Sequence, residues 1–182
     1  PKGLKIIGAQ AFLGCVNLQE LTIPNTVSQI GFGIVRYCSN LEKLEVETGN
    51  TAYHSVDNCI MGSNYVVAAC KNSIIPNDDK IQYIGNYAFS GFEGELVLPD
   101  NITSIGEGSF AGCNITSLSF GKNLTSIYRD AFSSCKFLYE INYSGTSEDW
   151  AKIYTKAGPW NDSTGEFIVH CTDKDIKTTE LK

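Results

Sequence analysis

Apolar residues along this chain fall into short alternating runs and not into helical stripes. Leu21 and Ile23 flank Thr22, Leu44 and Val46 flank Glu45, Leu118 and Phe120 flank Ser119, and Ile141 and Tyr143 flank Asn142. A period of two predicts strands with one buried face, because successive side chains of a strand point to opposite sides. The last apolar residues of the runs are Ile23, Val46, Ile75, Leu98, Phe120 and Tyr143, at intervals of 23, 29, 23, 22 and 23 residues. A turn of chain this short cannot enclose its own apolar face. Stacking successive turns makes one continuous core and a ladder of short parallel strands.

The residues between the strands repeat as well. Ile7-Gly8, Ala11-Phe12, Gly14-Cys15, Leu18 and Ile23-Pro24 return as Ile84-Gly85, Ala88-Phe89, Gly91 and Leu98-Pro99. Ile105-Gly106, Phe110 and Gly112-Cys113 follow, then Ile127, Ala131-Phe132, Cys135 and Leu138. A worn copy carries Ile30-Gly31, Cys38, Leu41 and Leu44. The period and the Leu-x-x-Leu-x-Ile spacing are those of leucine-rich repeats. The predicted fold is therefore an α/β-type repeat: a right-handed leucine-rich repeat solenoid of about six turns over residues 1–143. In that register Phe12, Phe89, Phe110 and Phe132 form a buried stack.

These residues resemble the BspA-like leucine-rich repeat family of bacterial and protist surface proteins, over roughly residues 4–143. The resemblance implies a cell-surface or secreted protein of gut or other host-associated anaerobic bacteria. It also implies adhesion to a host or neighbouring-cell surface protein, an extracellular-matrix protein or a glycan. The spacing by itself implies only the solenoid.

The 29-residue interval marks an insert near residues 49–72, which lacks the Ala-Phe-x-Gly-Cys element. Two apolar runs, Cys59–Met61 and Tyr65–Cys70, surround Gly62-Ser63-Asn64 and predict a β-hairpin. That hairpin either protrudes to meet a partner or packs on the neighbouring turn. After Tyr143 the period ends, and residues 144–182 read as a C-terminal cap and tail. Ser147 is expected to cap a helix with Trp150, Ile153, Tyr154 and Ala157 on one face, stopped by Gly158-Pro159. A strand is expected at 167–169, Trp150 and Trp160 should cover the last turn, and the tail after Asp173 should fray. Leu4, Ile6 and Ile7 enter in mid-repeat, so further sequence is expected upstream.

Composition narrows the function. Lys and Arg number 14 against 20 Asp and Glu, a net charge of −6. That balance argues against nucleic acid or an anionic membrane as partner, since both need a basic face. No apolar run approaches the ~18 residues of a membrane-spanning helix. Four of the seven cysteines, Cys15, Cys38, Cys113 and Cys135, share one repeat position and read as a core ladder of thiols. Cys59 and Cys70 flank the hairpin turn; facing each other they would form a disulfide, whereas alternation would put them on different rungs. No close Cys/His spacing suits a metal, and Asp173 with Asp175 is only half of a calcium loop. No base, nucleophile and orienting group converge around His54 or His170, so neither catalysis nor a cofactor is expected, and the chain reads as a monomer.

Solenoids bind partners through the strand-lined concave face. The outward strand positions are Thr22, Glu45, Ile74, Val97, Ser119 and Asn142, and the positions just before them include Glu20, Lys43, Glu95, Ser117 and Glu140. The result is an acidic fringe with an apolar step at Ile74 and Val97. The expected function is a non-catalytic binding or adhesion module using this face and the insert, the alternative being a spacer within a longer surface protein.

Overall fold

A computed structural model describes residues 3–89, 91–156, 159–161 and 164–177, with 154–156 described by backbone only. The strands in chain order are β1 (Ile6–Ile7), β2 (Glu20–Ile23), β3 (Gln29–Ile30), β4 (Lys43–Val46), β5 (His54–Val56), β6 (Cys59–Met61), β7 (Tyr65–Ala69) and β8 (Tyr83–Ile84). They continue with β9 (Glu93–Val97), β10 (Ser104–Ile105), β11 (Asn114–Phe120), β12 (Ser126–Tyr128), β13 (Glu140–Tyr143), a helix α1 (Ser147–Lys152), β14 (Tyr154–Lys156), β15 (Ile168–His170) and β16 (Asp175–Lys177).

Each turn but the third, which has no front strand, contributes one strand to a front ladder and one to a side ladder. In front, β2 pairs with β4, and β9, β11, β13 and β15 form a second parallel run that β16 closes antiparallel. At the side, β1 pairs with β3, and β7, β8, β10, β12 and β14 run parallel. Here β6 and β5 add antiparallel to β7. The arrangement is the solenoid of about six turns that the spacing predicts.

The repeated residue types follow from this stacking. Ile84, Ile105 and Ile127 point inward from the side ladder, and Leu44, Leu96, Leu118 and Ile141 from the front. The glycine after the side-strand isoleucine makes room for the turn before it. A Cβ on Gly85 would lie 2.5 Å from the Val66 carbonyl oxygen, and one on Gly106 2.7 Å from that of Ile84. The outer segment of each turn bends at two left-handed residues, such as Gly108 (φ 56°) and Gly112 (φ 73°) in turn five. Gln10 and Gly14, Gly33 and Tyr37, Tyr87 and Gly91, and Asp130 and Ser134 hold the same two places. Between these bends the aromatic residue turns inward. Phe89, Phe110 and Phe132 stack at 4.5 and 5.2 Å between centroids, and Trp160 extends the column edge-on at 5.9 Å.

Phe12 does not join that stack. It is half-buried against an aliphatic cluster, because Val35 occupies the ring position of the next turn and the turn after that has no outer segment. The thiol ladder is likewise partial. Cys38 and Cys135 are buried and donate to the carbonyl oxygens of Phe12 and Phe110 in the preceding turns (3.0 and 3.1 Å). Cys113 is buried too, whereas Cys15 is exposed, with no described turn in front of it. Burial pushes the thiols of Cys59, Cys113 and Cys135 up to about 12, so they pack as neutral groups.

The insert has three strands, not two, and it does not protrude. Asp57 and Asn58 turn β5 into β6 with φ of 48° and 61°, the paired positive values of a tight hairpin turn. Strands β6 and β7 are buried on both faces and stand as a wall through the interior. Cys59, Met61, Val66 and Ala69 face the C-terminal core, and Ile60, Val67, Ala68 and Cys70 face the N-terminal one. Ile60 pairs with Ala68 and Met61 with Val66, leaving Val67 as a bulge. Cys59 pairs with Ala69, so Cys70 looks the opposite way; both thiols are free, and Cys59 donates to the Ile74 carbonyl while Ser73 Oγ lies 3.6 Å from the Cys70 sulfur.

The helix starts one residue earlier than expected and ends sooner. Thr146 is the N-cap: its hydroxyl accepts from the Asp149 N–H (3.1 Å), and the Thr146 N–H donates back to the Asp149 carboxylate (3.3 Å). Ser147 instead donates twice to the Asp173 carboxylate, at 2.7 Å each. A six-residue helix is marginal by itself, and after Lys152 the chain gains more by joining the side ladder. Tyr154 therefore lies in β14, and Ala157 and Gly158 fall outside the described residues. Trp150 is buried against Phe120 (5.7 Å), Tyr143 (5.5 Å) and Trp160 (6.2 Å), which closes the last turn. The chain beyond Asp173 is ordered by β16, so the expected fraying does not begin there, and residues past 177 are not described.

Candidate binding surface

The front ladder turns its outward side chains into rows, because paired residues of parallel strands lie abreast. In the C-terminal run, Glu95, Ser117 and Glu140 form one row, in which Ser117 is buried and offers a partner no surface, and Val97, Ser119 and Asn142 form the next. In the N-terminal pair, Glu20 lies beside Lys43 and Thr22 beside Glu45. These residues form two patches, not one strip, because the ladder breaks between β4 and β9. Ile74 belongs to neither patch. It is 68 % exposed but lies outside any strand, its N–H tied to the Asp57 carbonyl (3.0 Å). Only the alternation survives there, with Ile75 buried beside it.

The break has a local cause. The insert sets side chains, not a strand, against the free edge of β4. Val46 N–H donates to Ser55 Oγ (3.0 Å) and Leu44 N–H to Asn58 Oδ1 (3.4 Å). Two donors that would otherwise pair with the next turn are satisfied this way.

The two patches differ electrostatically. Lys43 pairs with Glu45 at 2.9 Å, and this bond holds the lysine above its ordinary range while neutralising part of the N-terminal patch. In the C-terminal patch Glu93 and Glu95 are exposed on β9, and Val97 beside them is 67 % exposed. Spacing did not carry the rows into the cap, yet β15 and β16 extend both. Ile168 and Lys177 continue the first row, and His170 and Asp175 the second. His170 Nδ1 lies 2.9 Å from Asp175 Oδ1, and its Nε2 is 3.9 Å from Glu140. The signal was present in the strand read at 167–169; only its pairing to β13 was not. Asp173 and Asp175 point to Ser147 and His170, not to a shared ion site. Among the described residues no three His, Cys, Asp or Glu side chains are grouped to hold a metal, and no helix is long and apolar enough to cross a membrane.

A second group of side chains lies on the outer segments. Arg36 stacks over the rings of Tyr37 (4.6 Å) and Tyr87 (4.3 Å), and the Tyr87 hydroxyl donates to Glu107 at 2.5 Å. Turn three has no outer segment, so turn two meets turn four directly.

Stacked short strands, recurrent inward leucines and the Ile-Gly and Phe columns define a leucine-rich repeat protein. A model of the BspA type leucine-rich repeat region matches in six copies over residues 1–61 and 63–155, and the chain belongs to that family. Several solved structures are similar. A leucine-rich repeat protein from Eubacterium ventriosum is 23 % identical with a TM-score of 0.67, over 79 % of this chain and 41 % of that one. One from Bacteroides ovatus is 28 % identical (TM-score 0.46; 76 % and 35 %). A leucine rich cell surface protein from Faecalibacterium prausnitzii is 21 % identical (TM-score 0.46; 87 % and 56 %). The chain thus spans less than two thirds of each. No curated protein matches the sequence.

Proposed function

We propose that this chain is a non-catalytic binding module of the bacterial surface or extracellular space, and that it recognises a protein or glycan partner through the C-terminal patch of the front ladder. The observation that carries this reading is Val97, a large apolar side chain left two-thirds exposed on a flat ladder between Glu95 and Ser119. An apolar centre with a polar rim is the anatomy of a protein interface, and Val97 supplies such a centre here. The insert is an internal wall and contributes no contact loop to this reading. Membership of the BspA-type family supports the surface location.

The test is binding of the immobilised chain to extracellular-matrix proteins, mucins and glycan arrays, beside Val97→Asp and Glu95→Lys. The expected result is saturable binding to one class, weakened at least tenfold in both variants, with melting temperatures unchanged. Binding indifferent to both substitutions would move the site elsewhere, and no binding at all would leave the chain as a spacer.

A further inference from the structure

We propose that the cleft between β3 and β7 on the side ladder binds a neutral sugar ring. Every other pair of successive side strands from β7 to β14 is joined by backbone pairing, but β3 and β7 are not. The gap between them is a cleft of about 210 Å³, walled by Phe32, Tyr65 and Tyr83 and floored by Gly31 and Gly85. That is below the ~300 Å³ of a drug-sized pocket and suits a single ring.

Three features select the ligand class. The walls are aromatic: Tyr65 and Tyr83 lie 6.3 Å apart at 49°, and Phe32 is 51 % exposed beside them. Aromatic faces accept the C–H face of a pyranose, and the Tyr83 hydroxyl, which donates to Asn86, sets a polar group beside them. A polar group is already oriented there. The Asn86 side-chain oxygen accepts from the Tyr83 hydroxyl (2.6 Å) and from the Glu107 N–H (3.0 Å), which fixes the amide and leaves its NH₂ to donate to a sugar hydroxyl. Finally, among the described residues no charged side chain lines the cleft, so nothing in it favours an ionic ligand.

The edge of β3 argues against an extended peptide. A peptide adding a strand there would need the Ile30 N–H, and that donor is already bonded to the Tyr53 hydroxyl at 3.0 Å. This site shares no residue with the front-ladder patch, and the two readings stand or fall separately.

The experiment is a titration of the ¹⁵N-labelled chain with maltotriose, cellotriose, xylotriose and N,N′,N″-triacetylchitotriose, with a proline decamer alongside, followed by amide shifts. The expected result is saturable, weak binding of at least one trisaccharide that moves Gly31, Phe32, Gly85 and Asn86. Phe32→Ala should weaken it at least tenfold. Asn86→Asp, which keeps both accepted bonds and removes the NH₂ donor, should weaken it severalfold, and both variants should melt with the parent. The proposal is overturned if no trisaccharide moves these amides, if both variants bind as the parent does, or if only the proline peptide shifts them.

Discussion

The two halves of the solenoid are built on one repeat and hold together differently. The C-terminal core is a column of rings, Phe89, Phe110, Phe132 and Trp160, closed by Trp150 and flanked by two uninterrupted ladders. The N-terminal core is aliphatic, built on Ile23, Ile34, Leu41 and Leu44, with Phe12, Leu18 and Leu21 only half-buried around it. Between them stand β6 and β7, which give one face to each. The repeat motif fixes the path of the chain, and the strength of a turn depends on what covers it on either side.

The sharpest way to break that comparison is to remove a ring from each half. Phe110→Ala should cost roughly 3–5 kcal/mol in denaturant unfolding, since the ring is fully buried between two others. Phe12→Ala should cost about 1–2 kcal/mol. Equal losses would mean that Phe12 is as enclosed in solution as Phe110, and the contrast would collapse.

A second pair probes the wall. Ile60 and Met61 are adjacent and fully buried but face opposite cores. Ile60→Ala and Met61→Ala should each cost about 2–4 kcal/mol. Hydrogen exchange should separate them: the first should loosen β2 and β4, the second β9 and β11. If both substitutions speed exchange in the same strands, the interior is one cooperative unit.

The smallest effect concerns the cap. Thr146→Ala should cost about 1 kcal/mol by removing the hydroxyl acceptor of the capping box. Hydrogen bonds from Thr146 hold the Asp149 carboxyl below its ordinary 3.8, with Lys152 adding to them. A carboxyl held low in the folded state favours folding above its unfolded value and loses that contribution as pH falls through the folded one. The gap between Thr146→Ala and the parent should therefore narrow as pH falls below the ordinary carboxyl value of 3.8, without closing, because the hydroxyl still accepts from the Asp149 N–H. A gap unchanged at low pH would assign the cap's whole effect to the uncharged bond from the Asp149 N–H to the hydroxyl.

Most of the fold was legible because a repeat states its own register. Intervals of 22 or 23 residues placed the front strands other than the run ending at Ile75, which forms none, and Phe89, Phe110 and Phe132 followed from their offset while Phe12 did not. The helix end was not legible, since Ile153 and Tyr154 suit a helical face as well as a strand, and pairing with β12 decides between them. Strand β5 was missed because His54-Ser55-Val56 carries no apolar alternation; its role, with the turn that follows it, is to offer Ser55 and Asn58 to the edge of β4. The outward rows on β9, β11 and β13 were readable from alternation alone. Their division into two patches, and the cleft beside β3, depend on which strands fail to pair, and that is a property of the turns together.

The wall also alters how the molecule carries force. Turns one and two, and the turns from β8 onward, are bound to one another by backbone hydrogen bonds in both ladders, and pulling along the axis loads many of them at once. Among the described residues the local turn bond from the Asn50 N–H to the Glu47 carbonyl (3.3 Å) is the one backbone-to-backbone hydrogen bond between turns one and two and the rest, and no strand pairing crosses that junction. That junction is otherwise bridged by side chains: the apolar face of Ile60, Val67 and Ala68, Asn50 on the Pro24 and Val27 carbonyls, Ser55, Asn58 and Tyr53 on strand edges, Lys71 on Glu42 at 2.7 Å, and Arg36 held between Tyr37 and Tyr87. Under tension the first two turns are expected to peel away there before the ring-filled block opens, a two-step trace in single-molecule pulling.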